Sequence, residues 1–290
     1  MVTVKKATLD DFEDVYRFLS SIKGAAVEKE RMRRIFSNVW RTDEGYCGNI
    51  LLDENKVVGF FGMLFSRREI GGAVLKVCNL NTWFVDERYR GDSLKLVTPI
   101  LKLKDYLMTD MTASKKVSFI FEKLGFKALE SAWALMPPVP TFSTLTAVLR
   151  YKYSFGAEKA AEILRGAELK ILEDHRDFGC GHLVISDKEN HCHVIFNRSW
   201  KKKRIPLVSV YYVSNPELFL KALGYVRLVL PIVAGAIGTV VDKRLLKGHS
   251  GPLIFYKAMP TPPNRQYKSP VELEPELVDN LYSELVLLGY

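Results

Sequence analysis

The segment that most limits how this chain folds runs from residue 83 to residue 93. It reads as an apolar strand and then a turn with two arginines and one glycine, Trp83-Phe84-Val85-Asp86-Glu87-Arg88-Tyr89-Arg90-Gly91-Asp92-Ser93. An amphipathic pattern typical of a helix follows. Backbone N–H groups at a helix start are unpaired, and glycine lets the chain approach an anion closely. The segment therefore predicts a pyrophosphate-binding loop, although an ordinary turn of an α/β protein shows the same pattern.

The composition agrees with an anionic ligand without selecting one. The 290 residues have a formal net charge of +9, which suits a phosphorylated coenzyme, an acidic sugar, nucleic acid or an anionic membrane surface. Hydrophobic residues make up 48% of the chain, which is enough for one large core or two ordinary ones. The turn matches neither the GxGxxG nor the GxxxxGKS/T loop, so those two phosphate-binding chemistries are not supported.

The first half of the chain predicts a mixed α/β unit. Before the turn we predict a strand, an amphipathic helix after Thr8, a second helix, a hairpin and a long strand, over Val2–Lys6, Leu9–Ile22, Glu28–Val39, Asn49–Phe65 and Val74–Val85. After it we predict a helix, a strand and a second helix capped by Ser114 and ended by Gly125, the first two over Ser93–Leu103 and Tyr106–Met111. Pro99 does not fit the interior of a helix, because it lacks an N–H group and costs about 3 kcal/mol there.

A proline-rich break at Met136–Pro140 predicts two domains, residues 1–136 and residues 137–290. In the second domain we predict helices over Phe142–Arg165, Pro216–Leu223 and Glu274–Leu288. We also predict strands over His182–Ser186, His193–Asn197, Leu207–Val213 and Leu253–Lys257, with a buried strand or strand pair in the uncharged run Leu228–Val241. This order predicts a C-terminal α/β domain.

Two segments together resemble the GNAT superfamily of acetyl-coenzyme A dependent N-acetyltransferases. Arg88 to Ser93 is similar to the family's Arg/Gln-x-x-Gly-x-Gly/Ala loop. Phe119-Ile120-Phe121-Glu122-Lys123-Leu124-Gly125-Phe126 is similar to its helix and Gly-Phe ending. The order of elements agrees over about residues 2–135, and it implies a GNAT-like mixed central sheet flanked by helices. The second half follows the same order loosely, which leaves open a degenerate GNAT repeat or another α/β domain.

The resemblance also implies acetyl-coenzyme A (acetyl-CoA) as co-substrate and assigns residues to it. The family's loop amides hold the pyrophosphate, which implies that role for Arg88, Tyr89, Arg90, Gly91, Asp92 and Ser93. The thioester carbonyl is expected at the backbone of Phe84 and Val85, and Phe121 is expected beside the thiol. Two residues depart from the family pattern. Ser93 stands at a Gly or Ala position, and Phe121 replaces a tyrosine that protonates the departing thiolate, which phenylalanine cannot do.

Acetyl transfer to an amine needs a group that removes a proton, and the sequence offers four candidate catalytic residues. Asp110 ends the short strand opposite the long one, and its alternative role is to cap the helix after Thr112. Asn79 and Asn81 share one face of the long strand, where they either order a water relay or substrate or satisfy neighbouring backbone groups. Ser114 either supplies a hydroxyl near the sulfur or only caps its helix.

Three further features favour structural roles over functional ones. Cys180, His182, His191, Cys192 and His193 match no closed zinc motif in their spacing, so we expect no metal. Lys201–Arg204 is a basic run without interleaved aromatic residues, so we expect no nucleic acid. The run Leu228–Val241 is shorter than the about 20 residues that span a membrane, so we expect no membrane contact.

We therefore expect an enzyme that moves an acetyl group from acetyl-CoA directly to a small-molecule, amino-sugar or protein amine. The charged start Met-Val-Thr-Val-Lys-Lys lacks the apolar segment of a secretory leader, so we expect a cytoplasmic protein. Two alternatives stay open: a catalytically silent GNAT-like scaffold that binds a ligand or partner, which Phe121 favours, and an aminoacyl-transfer-RNA dependent relative. The acceptor, the acyl chain length and the oligomeric state are not indicated.

Overall fold

A computed structural model describes residues 2–22, 27–129, 132–201, 205–249, 257–260 and 264–289. The chain divides into two compact units. The first unit comprises residues 1–129, 264–273 and 282–288, and the second comprises residues 130–263, 274–281 and 289–290. Each unit has its own mixed sheet of seven described strands with helices around it. The predicted α/β class is therefore confirmed.

Up to the end of β4, the strands and helices of the first unit follow one another in the predicted order. Within residues 1–129 its strands are β1 (Thr3–Ala7), β2 (Gly48–Asp53), β3 (Lys56–Ile70), β4 (Ala73–Val85), β5 (Tyr106–Asp110) and β6 (Lys127–Ala128). Its helices here are α1 (Phe12–Ser20), α2 (Lys29–Phe36) and α3 (Lys115–Lys123), with 3₁₀ segments at Leu9–Asp11, Glu87–Leu96 and Ile100–Lys102. Helix α1 buries apolar residues at three- and four-residue spacing, which is why it packs as an amphipathic helix, with Phe12, Val15, Phe18 and Leu19 inside.

The second unit has the same mixture of elements. They are β7 (Ala132–Met136), α4 (Phe142–Arg150), β8 (Lys152–Phe155), α5 (Ala157–Ile163), α6 (Gly166–His175), β9 (Gly181–Ser186), β10 (His191–Lys201), β11 (Ile205–Val213), α7 (Pro216–Lys221), α8 (Leu223–Ala234), β12 (Thr239–Asp242) and β13 (Lys257–Pro260). Further 3₁₀ segments lie at Arg176–Phe178, Lys243–Leu246 and Pro275–Leu277. The strands follow the order β13-β7-β12-β11-β10-β9-β8.

The last part of the chain returns to the first unit through β14 (Gln266–Lys268) and α9 (Glu284–Leu288). Strand β14 pairs antiparallel with both β5 and β6, so the sheet of the first unit has the order β1-β2-β3-β4-β5-β14-β6. The predicted boundary at residue 136 is wrong, because Met136 pairs with Thr239 inside the second sheet. A boundary from proline content cannot reveal a strand that comes back from much later in the sequence.

Four predicted elements differ from the structure, and proline or glycine explains two of them. The segment Ser93–Leu103 is not an α-helix, because Pro99 lacks an N–H group and separates two 3₁₀ segments. The predicted helix Phe142–Arg165 breaks into α4, β8 and α5, where Gly156 has a φ of 97° that ends the strand and begins α5. These local breaks override the helical spacing of the surrounding apolar residues.

The other two differences lie in the second half. The first half of the run Leu228–Val241 belongs to α8, which contains Pro231, and only its end enters β12. The predicted closing helix Glu274–Leu288 is reduced to a 3₁₀ turn and the short α9. Most of the predicted strand Leu253–Lys257 lies outside the described residues, as do Lys202–Arg204 of the basic run. Among the helices of the described ranges, none has the length and apolar character that crossing a membrane requires.

Candidate functional site

Strands β4 and β5 are parallel neighbours over four residues, and β5 ends at Asp110 while β4 continues to Val85. Lys76–Asn79 pair with Tyr106–Thr109, whereas the remainder of β4, Leu80–Val85, pairs with β3 and with no other described strand. The backbone edge of Leu80–Val85 on the β5 side is therefore left without a strand partner in the part of the chain that the structure describes. A polar backbone edge of this kind needs other partners, such as water or the amide groups of a ligand.

Strand β4 carries a bulge in the part that extends beyond its pairing with β5. Thr82 and Trp83 stand opposite the single residue Phe61 of β3, since Asn81 pairs with Gly62 and Phe84 pairs with Phe60. A bulge bends its strand and increases the local twist. Thr82 has a φ of 48°, which is uncommon for a β-branched residue and costs about 1–3 kcal/mol. Backbone conformations of this cost are found preferentially at functional sites.

A cavity of about 850 Å³ opens beside the end of β4, and we call it the β4 cavity. Strand β4 contributes Trp83, Phe84 and Val85 to its wall. Most of the other lining residues come from the two 3₁₀ segments, the residues between them and α3. Their side chains are largely apolar and include Leu94, Val97, Leu101, Val117, Phe119 and Ile120. Three cationic side chains line it as well, Arg90, Lys116 and Lys123. The β4 cavity therefore combines a largely apolar lining with positively charged side chains.

The turn predicted to bind pyrophosphate is partly occupied by the protein's own groups. The backbone N–H of Arg88 donates to Asp86 Oδ1 at 3.0 Å, and its guanidinium donates to Asp86 Oδ2 at 2.8 Å. The Arg88 side chain and backbone N–H lower the pKa of Asp86 to about 2. The N–H of Tyr89 donates to the carbonyl of Asp86 at 2.9 Å. The turn is thus a 3₁₀ segment capped by Asp86, and its first amides are not open to an anion.

The remaining loop residues divide between the β4 cavity and local contacts. Phe84, Val85, Arg90 and Ser93, which the resemblance assigns to the coenzyme, line the cavity. The Tyr89 hydroxyl donates to Asp53 at 2.8 Å, and Asp92 forms an ion pair with Lys95 at 2.7 Å. A Cβ atom added at Gly91 meets no atom within 4 Å, so open space lies beside this residue.

Phe121, which the resemblance places beside the thiol, is not among the residues that line the β4 cavity. Its side chain is fully buried and stacks on Phe126, with ring centroids 4.7 Å apart. Trp83 and Phe61 extend the stack at 5.9 Å and 6.2 Å. An aromatic ring of this size gains most by complete burial against other rings, which fixes its side of α3 toward the core.

A buried pair of carboxyl groups, Asp110 and Glu284, lies where the end of β5 meets the start of α9. The side chain of Asp110 accepts the N–H of Thr112 at 3.1 Å, but it does not cap the following helix, whose cap is Ser114. Glu284 Oε1 accepts the Thr112 hydroxyl at 2.8 Å and the Met111 N–H at 3.2 Å. Its second oxygen, Oε2, is buried and has no hydrogen-bond partner among the residues described.

The surroundings of the pair favour protonation. Burial, and then the negative charge of Glu284, raise the pKa of Asp110 well above its ordinary value. Burial also raises the pKa of Glu284. Because two carboxylates this close and this buried cannot both be charged without a large penalty, the pair retains a proton to higher pH than an exposed acid does.

Two predicted asparagines complete this polar cluster. Asn79 Oδ1 accepts the N–H of Glu284 at 3.1 Å, and its amide donates to the Thr109 hydroxyl at 3.2 Å. The Asn81 amide donates to the Asn79 carbonyl at 3.4 Å, while Asn81 Oδ1 is buried with no partner among the described groups. A Cβ atom at Gly62 falls 2.3 Å from that oxygen, so a larger residue there would force the Asn81 side chain to move. The sequence thus predicted three members of the cluster.

Glu284 was not predicted from the sequence. The available signal was a single acidic residue within the apolar run Leu281–Leu288. Ser114, the fourth predicted catalytic residue, lies apart from the cluster at the β4 cavity, where its hydroxyl accepts the Val117 N–H at 3.3 Å and caps α3.

Three histidines of the second unit form two side-chain pairs. His182 Nδ1 lies 3.2 Å from His193 Nε2, and His191 contacts Glu168 at 2.5 Å. Within the described ranges no three His, Cys, Asp or Glu side chains converge as metal ligands do.

No family model matches the sequence, and no curated protein does. Solved structures do match it. A GCN5-related N-acetyltransferase from Kribbella flavida has a TM-score of 0.59 at 16% identity, covering 92% of this chain and 70% of that one. A GCN5-related N-acetyltransferase from Anabaena variabilis has a TM-score of 0.57 at 12% identity, covering 92% and 72%.

A third match extends over almost the whole of both chains. It is a putative acetyltransferase from Pyrococcus horikoshii, with a TM-score of 0.54 at 11% identity, covering 97% of this chain and 92% of that one. Similarity at this level of identity establishes the fold. The two mixed sheets flanked by helices agree with it. The chain therefore has the fold of the GCN5-related N-acetyltransferases, as the two segments Arg88–Ser93 and Phe119–Phe126 predicted.

Proposed function

We propose that this protein transfers an acetyl group from acetyl-CoA to an amine, and that the β4 cavity of the first unit binds the coenzyme. The observation that carries this proposal is the position of the cavity against the unpaired edge of Leu80–Val85. Solved structures of the same fold are N-acetyltransferases, which supports the same general chemistry.

The residues of the β4 cavity fit the chemistry of coenzyme A. Its long arm contains amide groups, for which the backbone N–H and C=O groups of Leu80–Val85 are suitable partners. Its phosphates are anionic, and Arg90, Lys116 and Lys123 provide positive charge at the cavity. Arg90 is also paired with Glu87 at 2.7 Å, so the two lysines are the cations that we expect to contribute most.

The buried carboxyl pair suits the removal of a proton from the acceptor amine. When bound, acetyl-CoA supplies the activated thioester. An amine attacks only in its neutral form, so a nearby base must take its proton. We assign this role to the ionised form of Asp110, because the raised pKa of this group makes its carboxylate a stronger base than an exposed one. Glu284 acts as a positioning residue that keeps the pKa of Asp110 high, and Asn79 holds Glu284 through its backbone N–H.

The proposal is tested in two steps with the full chain. Isothermal titration calorimetry with coenzyme A first measures binding, and we expect saturable binding to one site. An assay of thiol release from acetyl-CoA then screens glucosamine, 1,4-diaminobutane and a lysine peptide as acceptors. We expect release that depends on at least one amine. Absence of coenzyme A binding would overturn the proposal.

A catalytically silent scaffold is the second candidate, and one observation favours it. Phe121 occupies the position of the family's proton-donating tyrosine, and it is fully buried in the aromatic stack. Among the described lining residues of the β4 cavity, the hydroxyl groups belong to Ser93, Thr98 and Ser114, and none to a tyrosine. Coenzyme A binding without thiol release to any acceptor would favour this candidate over the enzyme.

A further inference from the structure

The first unit has a second cavity, of about 360 Å³, which shares no lining residue with the β4 cavity. Its walls come from the start of the 3₁₀ segment at Leu9, from the end of α2 and the loop that follows, from residues 44–47, and from the middle of β3. We call it the acidic cavity, because Asp10 and Glu44 line it and no Lys, Arg or His does among the residues described. This is unusual in a chain whose net charge is +9.

The two carboxylate oxygens of Glu44 in the acidic cavity differ in their hydrogen bonding. One oxygen, Oε1, accepts the hydroxyl of Tyr106. The other, Oε2, is buried and has no hydrogen-bond partner within the described part of the chain. A buried carboxylate oxygen without a donor is costly, and such exceptions call for an unseen ligand or water.

Glu44 is also held in its charged form. Burial alone raises the pKa of Glu44, but the neighbouring Thr42 and Tyr106 hydroxyl groups and the positive charge of Arg67 together lower it below its ordinary value. The guanidinium of Arg67 is engaged by Asp43. A negative charge therefore remains beside the cavity at neutral pH.

Aromatic rings form much of the remaining wall. Trp40, Tyr46 and Phe65 line the cavity, and the rings of Tyr46 and Phe65 meet edge to face at 5.1 Å. The faces of aromatic rings attract cations, and Lys6 already lies over one face of Tyr46 at 4.1 Å. A carboxylate combined with aromatic walls is the arrangement that binds an organic ammonium group.

The cavity is also close to the proposed reaction centre. Leu64, which lines it, is the cross-strand partner of Asn79, and such partners lie about 5 Å apart. We propose that the acidic cavity binds the ammonium group of a cationic amine, with Glu44 as its counter-ion and the aromatic rings as its wall. One part of this inference rests on the proposed function: if the protein is the proposed transferase, the bound molecule with its positively charged amine is the acceptor.

Binding is tested with a charged probe and its neutral counterpart. Phenethylamine and 2-phenylethanol have nearly the same shape but differ in charge. By calorimetry on the full chain, we expect the amine to bind and the alcohol to bind at least about tenfold more weakly. Glu44→Gln keeps an acceptor for Tyr106 and removes the charge, so we expect about a tenfold loss of amine affinity. The control Glu69→Gln removes an exposed charge on β3, away from the cavity, and is expected to bind like the unaltered protein.

The outcomes separate this inference from the proposed function. Equal binding of amine and alcohol by the unaltered protein would overturn it, whatever the stability of the variants. Unchanged amine affinity in Glu44→Gln, with a thermal unfolding curve like that of the unaltered protein, would also overturn it. Coenzyme A binding is measured in parallel: its absence beside normal amine binding would reject the transferase and leave the amine site standing.

Discussion

Asp110 and Glu284 are linked through a single residue, Thr112. The Thr112 N–H donates to Asp110 at 3.1 Å, and the Thr112 hydroxyl donates to Glu284 at 2.8 Å. Both carboxyl groups are almost entirely buried, with exposed fractions of 4% and 0%. The end of β5 and the start of α9, which are far apart in sequence, therefore share one polar cluster.

This pair predicts how stability depends on pH. Folding raises both pKa values above 3.8 for Asp110 and 4.5 for Glu284, so the native state binds protons more tightly than the unfolded chain. The resulting stabilisation is complete below those values and is lost as the pH rises through the native pKa values. Asp110→Asn removes one titrating group. We expect its free energy of unfolding, relative to the unaltered protein, to increase between pH 4 and pH 8 in urea denaturation. A difference that does not change with pH would contradict the prediction.

The same residue predicts a loss of turnover. If Asp110 removes the proton, Asp110→Asn should lower kcat by at least about a hundredfold, since general base catalysis contributes on the order of 10²–10⁴. Coenzyme A affinity should stay the same, because Asp110 does not line the β4 cavity. Steady-state kinetics and calorimetry on the same sample provide the measurement. An equal fall in coenzyme affinity would indicate a general loss of structure instead.

Two neighbouring lysines provide a matched test of the coenzyme site. Lys116 lines the β4 cavity, whereas the adjacent Lys115 does not, and both are exposed at the start of α3. We expect Lys116→Ala to weaken coenzyme A binding about tenfold, which is about 1.4 kcal/mol, because a phosphate contact is lost. Lys115→Ala should leave the affinity unchanged in the same titration. Equal effects of the two substitutions would place the phosphates elsewhere.

Gly91 tests whether the turn lies close to an anion. A Cβ atom there meets nothing within 4 Å, so both Gly91→Ala and Gly91→Asp are expected to fold. Only the aspartate adds negative charge, and we expect it to reduce coenzyme A affinity more than tenfold while alanine has a small effect. Calorimetry on the two variants gives the comparison. Since the first amides of the turn are capped by Asp86, identical affinities would show that the phosphates do not use this turn.

Phe121 tests whether the missing tyrosine matters. Its ring is fully buried against Phe126, so a hydroxyl added by Phe121→Tyr enters an apolar stack. We expect a loss of about 1–3 kcal/mol in the free energy of unfolding, which is the cost of a buried unpaired polar group. We also expect no gain in thiol release. A faster reaction at unchanged stability would mean that the tyrosine hydroxyl reaches the reacting sulfur.

Much of the first unit was predictable because its signals are local. The hairpin between β2 and β3 turns at Glu54 and Asn55, whose φ values of 47° and 66° suit a polar turn. Ser114 caps α3 through Val117, and Gly125 follows the helix with a φ of 84°. The β4 strand and the turn after it were also predicted, but Pro99 and Asp86 convert the expected helix start into 3₁₀ structure.

The candidate site was only half predictable. Asn79, Asn81 and Asp110 were identified because they are polar residues at the ends and faces of predicted strands. Glu284 was missed, since no local pattern shows which strand end a distant helix will meet. The aromatic stack around Phe121 was not predictable either, because an amphipathic stripe does not show which of its residues face the core and which line a cavity.

The sequence by itself determined the α/β class, the order of elements in the first unit and the segments that resemble the GNAT family. Capping residues, glycines and apolar spacing act within a few residues, so their effects can be read along the chain. Only the tertiary structure decided that β14 and α9 complete the first unit and that Glu284 meets Asp110. Those contacts join segments that are far apart in sequence. They form because whole sheets and helices are buried against one another, and no short stretch of residues encodes that packing.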